Sequence, residues 1–189
     1  MFDVLIHNGG SIFHDFQRST ESLPSHSYSL DALLKDFEPN RKASDLVWNW
    51  LLKGETPTGS LTSICQSKGI PVLMFTVLGG DFWQLFDDTI DRSWARIGTV
   101  SSLGFATLCN IMKEGPFHFI NMGSAVVMPE VFTKAVAVVK PKEFRADVVD
   151  FLGNQYRPLT RVAKYGRYYH STHVEFLKRW LKEGDEVWR

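Results

Sequence analysis

An excess of charge of either sign is missing from this sequence, and so is a long apolar run near its start. Its 21 basic residues balance its 21 acidic residues, so no net field attracts nucleic acid or an anionic membrane surface. The opening segment MFDVLIHNGG carries an acid at position 3 and only a short apolar run, which is typical neither of a signal peptide nor of a membrane span. We therefore expect no nucleic acid and no membrane as partners, and a cytoplasmic location.

Cysteine is also scarce. Cys65 and Cys109 lie in separate apolar segments with no metal-ligand spacing around them, so we expect two buried thiols in a reducing compartment rather than a disulfide. The nearest approach to a metal motif is formed by His170, His173 and Glu175. Its spacing lacks the i, i+4 pair that places two imidazoles on one helical face, so the sequence predicts no metal site.

Apolar residues are abundant. The chain is 44% hydrophobic and 13% aromatic, which is enough for a sizeable core. Short β-branched runs alternate with helical patterns, and the continuous apolar strands are typical of a parallel sheet covered on both faces. We predict one α/β domain over residues 1–189, Rossmann-like, with a mostly parallel sheet and helices on both faces. A helical excursion is expected at about residues 20–55.

Two local predictions depend on residue type alone. The segment SDLVWNWLLKG predicts an amphipathic helix with Ser44 or Asp45 as its N-cap and Gly54 at its end. Further on, the residues from Thr160 to Ala163 predict a short strand.

Three predicted strands end in glycine turns, HNGGS, LGGD and NMGSA. In open parallel sheets, ligands bind beyond the carboxyl ends of the strands, where small residues let a ligand approach the backbone. One such turn is more often only a connection, but three together predict a shared ligand crevice. His7 and His14 flank the first turn, and each is either a candidate acid or base or an ordinary polar residue of a strand end or helix surface.

Five segments carry a resemblance to a known family. HNGGSIFHD is similar to a strand that ends in TAGG and is followed by acids, and IPVLMFTVLGGD to an IPVFCPAL strand leading to DGSLGD. FINMGSAVVMPE stands at the place of a GGGVPKHH turn, ADVVDFLGNQYRP at that of ADYAVYINTAQEFDG, and HSTHVEFLKRWL at that of a closing DATLVFPLL helix. Over nearly all of its length the chain resembles the later part of deoxyhypusine synthase, the enzyme that uses NAD to move an aminobutyl group from spermidine to a protein lysine.

The resemblance implies an NAD-binding fold with cofactor contacts at the three turns, and it makes Asp15 a possible ribose or amide partner. The implied cofactor-binding residues are Asn8, Gly9, Gly10, Asp15, Gly79, Gly80, Asp81, Gly123 and Ser124. The family's imine-forming lysine falls on Met128, and an apolar side chain cannot replace an amine nucleophile. We therefore expect no deoxyhypusine synthase activity and assign no catalytic residue.

The sequence thus predicts a deoxyhypusine synthase-like protein that binds a nucleotide cofactor or another small molecule at the strand C-termini. If it is an enzyme, the resemblance implies a transferase. A non-catalytic binding or assembly module is one alternative. Another is a sugar-phosphate-binding isomerase-like domain, with TPTGSLTS at residues 56–63 as its phosphate turn. The aromatic content, the balanced charge and the family's subunit-interface sites predict a homo-oligomer.

Overall fold

The computed structural model describes residues 3–20, 37–81, 83–84, 90–153 and 155–183. The chain divides into two compact units, Met1–Phe105 and Ala106–Arg189. The single domain over residues 1–189 stays a prediction. Within the expected helical excursion, residues 37–53 are helical, whereas residues 21–36 lie outside the described ranges.

The first unit contains two parallel strands with helices between them. Strand β1 pairs with β2 in parallel, with Leu5 opposite Val72 and Asn8 opposite Phe75. A parallel pair needs a crossover connection, which the intervening helices provide. The elements are β1 (Leu5–Asn8), α1 (Gly9–Ser19), α2 (Phe37–Lys53), α3 (Leu61–Ser67), β2 (Val72–Phe75) and α4 (Ile90–Lys113), whose last residues belong to the second unit.

Helix α2 begins earlier than the sequence predicts. Ser44 and Asp45 were expected at its N-terminus, but both lie inside a helix that starts at Phe37, so that prediction is wrong. Ser44 is fully buried, and its hydroxyl donates to the Asn40 carbonyl at 3.0 Å, which satisfies it one turn back inside the helix. The helix ends before Gly54, at a φ of +77°, as predicted.

The core of the first unit is formed where α1 and α2 face each other. Apolar residues recur at helical spacing on both helices, so each presents one buried stripe. Trp48 of α2 meets Trp83 edge to face, with 4.9 Å between ring centroids. The buried cluster consists of Ile12, Phe13, Phe16, Ala43, Val47, Trp48, Leu51, Met74, Trp83 and Ile97.

The second unit contains a parallel sheet in which β4 lies between β3 and β5. Its elements are β3 (Phe117–Met122), α5 (Val127–Val139), β4 (Phe144–Asp150), a π-helix (Pro158–Val162), a 3₁₀ turn (Ala163–Tyr165), β5 (Tyr168–His170) and α6 (His173–Glu183). On one face, Phe119 of β3 stacks on Phe132 of α5 with 4.5 Å between centroids. That face also carries the buried Ala146 and Val148, because residues at alternate positions of a strand share a face.

The strand predicted at Thr160 to Ala163 is wrong. These residues belong to the π-helix and the 3₁₀ turn. The Thr160 hydroxyl donates to the Tyr156 carbonyl at 2.7 Å, a bond that a helical turn provides and a strand does not. The strand that does form begins later, at Tyr168.

The predicted α/β class with parallel pairing is confirmed, since every strand pair in the described residues is parallel. These strands form two sheets, one of two strands and one of three, rather than the single sheet that the sequence suggests. Within the described ranges, no helix combines the length and apolar character that a membrane crossing needs.

A fully buried carboxylate joins the three strands of the second unit. Asp147 of β4 lies 2.9 Å from His118 Nε2 of β3, and its two oxygens receive the Arg145 guanidinium at 3.0 and 2.8 Å. The backbone amide of Arg167, just before β5, donates to Oδ1 at 2.6 Å. Burial alone raises the pKa of Asp147, but the bonds from His118, Arg145 and Arg167 outweigh it and hold that pKa below the usual 3.8.

We predict that Asp147→Asn lowers the free energy of unfolding by about 3 kcal/mol, because it removes the charge from a buried, bonded pair. Since the folded pKa is lowered, the contribution of the carboxylate is full above about pH 4 and is lost as pH falls through the folded value. Urea titrations of wild type and variant should therefore converge in acid. The exposed Asp45→Asn is the control, and a stability equal to wild type for Asp147→Asn at neutral pH would contradict the prediction.

Candidate functional site

The first glycine turn is built by Asn8, which caps helix α1. Its side-chain Oδ1 accepts the backbone amide of Ser11 at 2.7 Å, so one of the amides that a helix N-terminus leaves open is satisfied. Gly9 is buried, and Gly10 follows it in the first turn of the helix. This capping hydrogen bond is sufficient to explain an asparagine at position 8 without a ligand.

Asp81, the acid of the second glycine turn, lies against the first glycine turn. The Asp81 carboxylate lies beside Gly9 so closely that a Cβ on Gly9 would collide with it. Asp81 Oδ2 accepts from the Thr76 hydroxyl and from the Val77 amide, whereas Oδ1 accepts no hydrogen bond from the described residues. The structure therefore brings the Gly9 and Asp81 turns together, at the carboxyl ends of β1 and β2.

The rest of the second turn is held by Gln84. Its Oε1 accepts the Gly79 amide at 2.7 Å, and its amide nitrogen donates to the Val77 carbonyl at 3.1 Å. Gly79 has a φ of +71°, a conformation that favours glycine, and the Gly80 amide donates to the Val77 carbonyl at 3.0 Å. A carboxylate already occupies the positive end of α1, so a phosphate at this turn would meet a like charge.

Asp15 lies away from the turns and anchors helix α3. Its two oxygens accept the backbone amides of Leu61 and Thr62, at 2.7 and 2.9 Å, and the Thr62 hydroxyl at 2.7 Å. Carboxylates are favoured at helix N-termini, where amides lack partners. The ribose or amide contact implied for Asp15 stays a prediction, and it competes with three hydrogen bonds within the protein.

His7 is the buried centre of the same network. Its Nδ1 lies 3.0 Å from Ser11 Oγ, and its Nε2 lies 3.2 Å from Thr62 Oγ1 and 3.9 Å from Asp15 Oδ2. The ring is only 4% exposed. Burial lowers its pKa from 6.5 to about 4, against the opposing effect of the Asp15 charge. His7 is therefore neutral near pH 7.

The hydrogen-bond directions follow from this neutrality. The single hydroxyl proton of Thr62 is donated to Asp15, so Thr62 Oγ1 is left to accept from His7 Nε2–H. A neutral imidazole carries one proton, which leaves Nδ1 bare and facing the Ser11 hydroxyl. The Ser11 hydroxyl donates to the Asn8 carbonyl at 3.0 Å, so Nδ1 and this carbonyl compete for its one proton.

The third turn has its own geometry in the second unit. Gly123 has a φ of +67°, and the His173 ring packs against its α-carbon where a side chain would stand. Ser124 is buried, and its hydroxyl accepts the backbone amide of Met128 at 3.2 Å. Met128, which stands where the family has its lysine, is itself buried. The exposed Lys134 pairs with Glu130 at 3.1 Å.

Two buried side-chain atoms on the strands near this turn have no hydrogen-bond partner in the part of the chain that the structure describes. Asn121 is 2% exposed and donates through Nδ2 to the Ser124 carbonyl at 2.9 Å, yet its Oδ1 accepts nothing from the described residues. The buried Tyr168 hydroxyl donates to none of them either. The third polar group is Asp150, which is 3% exposed and whose Oδ1 accepts the Leu152 amide at 2.8 Å.

Strand register places these three groups on one face of the sheet. Asn121 pairs with Val148, which pairs with Tyr168, and paired residues of parallel strands share a face. Asp150 lies two residues beyond Val148 and shares that face too. The groups thus form an acceptor row of Asn121, Tyr168 and Asp150, in which Asn121 and Asp150 lie at the carboxyl ends of β3 and β4 and Tyr168 begins β5.

The sequence patterns predicted neither this row nor the network that Ser11, His7, Thr62 and Asp15 form. A signal for the row exists, because Asn121 and Asp150 interrupt otherwise apolar strands, where an unpaired polar side chain is costly. Of the residues considered as metal ligands, His170 donates through Nε2 to the Phe151 carbonyl at 2.7 Å, and Glu175 accepts the Thr172 hydroxyl at 2.7 Å. These two residues therefore close a loop and cap a helix.

We predict that the stability of the protein rises between about pH 4 and pH 6.5 because of His7. Its folded pKa is lowered, so the unfolded chain binds more protons in this window and acid favours unfolding, by up to about 3 kcal/mol. Urea titrations across the window should show a flatter pH dependence for His7→Gln. The exposed His170→Gln should keep the wild-type slope, and an unchanged slope in His7→Gln would refute the assignment.

Comparison with known proteins identifies no relative of this chain. No protein-family model matches the chain, and no curated protein or solved structure matches it significantly. Membership of the deoxyhypusine synthase-like family therefore stays a prediction from the quoted motifs, and the function must be argued from the site.

Proposed function

We propose that the second unit binds a small molecule through an ammonium or carboxamide group at the carboxyl ends of β3 and β4, beside the start of β5. The observation that carries this proposal is the acceptor row, in which Asn121 Oδ1 accepts nothing from the described residues and the Tyr168 hydroxyl donates to none of them, beside the buried carboxylate of Asp150. Unpaired buried polar groups are rare and costly in native proteins. A ligand that pairs with them would gain their hydrogen bonds.

The chemistry of the row selects the ligand group. Asn121 Oδ1 and Asp150 Oδ2 are acceptors, so the ligand must supply at least two N–H or O–H donors. Burial and then the charge of Asp150 raise the pKa of Tyr168, which keeps its hydroxyl protonated as a donor. The carboxylate favours a positive charge, and a carboxamide would satisfy both acceptors while accepting from Tyr168.

NAD, the cofactor implied by the resemblance, fits this site only in part. Its nicotinamide carboxamide has the two N–H donors and the acceptor that the row needs. In the first unit, the Gly9–Gly10 turn that the resemblance implies as a cofactor contact already holds the Asp81 carboxylate, which disfavours a phosphate there. NAD and the Rossmann-like organisation of the chain remain parts of this proposal. We derive no reaction step through the cofactor, and the buried Met128 gives no support to aminobutyl transfer.

The geometry does not favour the sugar-phosphate alternative. The candidate phosphate turn at residues 56–63 leads into helix α3, and its amides are already used. Asp15 accepts those of Leu61 and Thr62, and the Ser60 hydroxyl accepts that of Ser63 at 3.0 Å. A phosphate would have to displace the carboxylate of Asp15.

A calorimetric and thermal-shift panel of diamines, nicotinamide, NAD and a sugar phosphate tests the proposal. We expect an amine or nicotinamide to raise the melting temperature, because a ligand that binds only the folded state stabilises it. Asp150→Asn should weaken binding of an amine about tenfold, by losing a charge-assisted hydrogen bond. Glu143→Gln, at the amino end of β4, is the matched control. Binding of none of these compounds, or equal affinity in Asp150→Asn, would reject the site.

We also propose that the protein self-associates, since the sequence predicts a homo-oligomer. Large apolar side chains are exposed just after β4, with Phe151 at 56%, Leu152 at 57% and Tyr156 at 71% exposure. Contiguous exposed apolar groups favour protein contacts, and this observation also favours the assembly-module alternative. Light scattering should report a dimer or larger species that Phe151→Ser weakens. A monomer at high micromolar concentration would contradict this proposal and leave the ligand site untouched.

A further inference from the structure

We propose that Ser11 is an activated nucleophile, with His7 as its general base, and that it accepts an acyl group from a neutral or cationic ester. The inference concerns the first unit and does not rest on the acceptor row. It follows from the chain of contacts that links Ser11 through His7 and Thr62 to Asp15, in which Ser11 Oγ lies 3.0 Å from both His7 Nδ1 and the Asn8 carbonyl oxygen.

The geometry meets the requirements of an activated hydroxyl. Ser11 Oγ and His7 Nδ1 are 3.0 Å apart, within the reach needed for proton transfer. Thr62 orients the base through its contact with His7 Nε2, and the Thr62 hydroxyl is itself held by Asp15 at 2.7 Å. A nucleophile, a base and a third group that orients the base are the arrangement from which nucleophilic catalysis is recognised. Thr62 and Asp15 are positioning residues, because neither touches Ser11.

The place of Ser11 in the fold suits this role. It follows the carboxyl end of β1 and lies in the first turn of α1, and it is only half-buried. Its backbone amide is held by Asn8 Oδ1 at 2.7 Å, which fixes the start of the helix. The Ser63 hydroxyl in α3 donates in the same way to the carbonyl three residues before it, that of Ser60, at 2.9 Å, but no described imidazole lies within hydrogen-bond distance of it.

The proposed step conserves atoms and charge. Ser11 Oγ forms a bond to the ester carbonyl carbon while its proton moves to His7 Nδ1. The bond between that carbon and the leaving alcohol oxygen then breaks, and the leaving oxygen takes the proton from Nδ1. Water attacks the acyl-serine, His7 takes one of its protons and returns it to Ser11 Oγ, and the carboxylic acid is released.

The Asp81 carboxylate limits the substrate. It lies against Gly9, two residues from Ser11 in the same turn region. A negatively charged substrate would be repelled there, and a cationic one would be attracted. Acidic esters are therefore excluded from the proposal.

The experiment uses the full-length protein and a neutral alkyl fluorophosphonate, which phosphonylates activated serines with loss of fluoride. Ser11 is the only serine or threonine in the tryptic peptide of residues 1–18, so mass spectrometry assigns the adduct without ambiguity. We expect labelling of this peptide in the folded protein and hydrolysis of p-nitrophenyl acetate. Ser11→Ala should abolish both, and Ser63→Ala should change neither.

The contribution of His7 is tested separately. His7→Gln should slow labelling about 100-fold, the usual scale of general-base catalysis. In the wild type, the labelling rate should be nearly constant from about pH 6 to pH 8, because a base with a low pKa is already unprotonated there. For Thr62→Val we expect slower labelling and a shifted pH profile in a protein that still melts cooperatively. Absence of label on residues 1–18 in the folded wild type, or a rate independent of His7, would overturn the proposal.

Discussion

The need to pair every buried polar group constrains both units, and Asp147 shows its strongest effect. Its carboxylate is fully buried in the central strand β4, where an unpaired charge would be very costly. Bonds from β3, from β4 itself and from the backbone before β5 satisfy it together. A slipped register would remove the bonds from His118 of β3 and from the Arg167 amide, and would leave only Arg145 of the same strand. The carboxylate thus selects the arrangement of three strands whose apolar side chains alone could pair in other registers.

The same constraint explains most of the first unit. Asp15 satisfies the start of α3, Asn8 the start of α1, and Asp81 the loop after β2. Side chains that resemble ligand contacts in the sequence are therefore engaged within the protein. The three glycine turns also differ in kind, because Gly9 makes room for Asp81, whereas Gly79 and Gly123 adopt positive φ values. Gly123 combines both reasons, because the His173 ring lies where its Cβ would stand.

One feature in each unit is not explained by this pairing within the protein, and these two features indicate function. In the second unit, Asn121 Oδ1 and the Tyr168 hydroxyl have no partner among the described residues, and Asn121 lies at the carboxyl end of β3, where parallel sheets hold ligands. In the first unit, every member of the Ser11 to Asp15 chain is paired, but the chain ends in a half-buried hydroxyl that faces a bare imidazole nitrogen. One site is suited to binding and the other to proton transfer. The two proposals stand or fall independently.

The sequence by itself determined the α/β class, the parallel strands and the glycine turns at their ends, because hydrophobic periodicity and glycine placement are local properties. It also located Gly54 and the buried cysteines correctly. Tertiary structure decided what local pattern could not. Ser44 lies within a helix because its hydroxyl finds the Asn40 carbonyl, and Thr160 lies in a π-helix despite its β-branched side chain.

The candidate sites were decided by tertiary structure to a greater degree. His7 and Thr62 are 55 positions apart, and Asn121, Asp150 and Tyr168 come from three strands. Nothing in a one-dimensional pattern states that these side chains share a network or a face, because strand register and helix placement bring them together. The sequence supplied polar residues within apolar strands. Only the fold determined which of them have partners and which are left for a ligand.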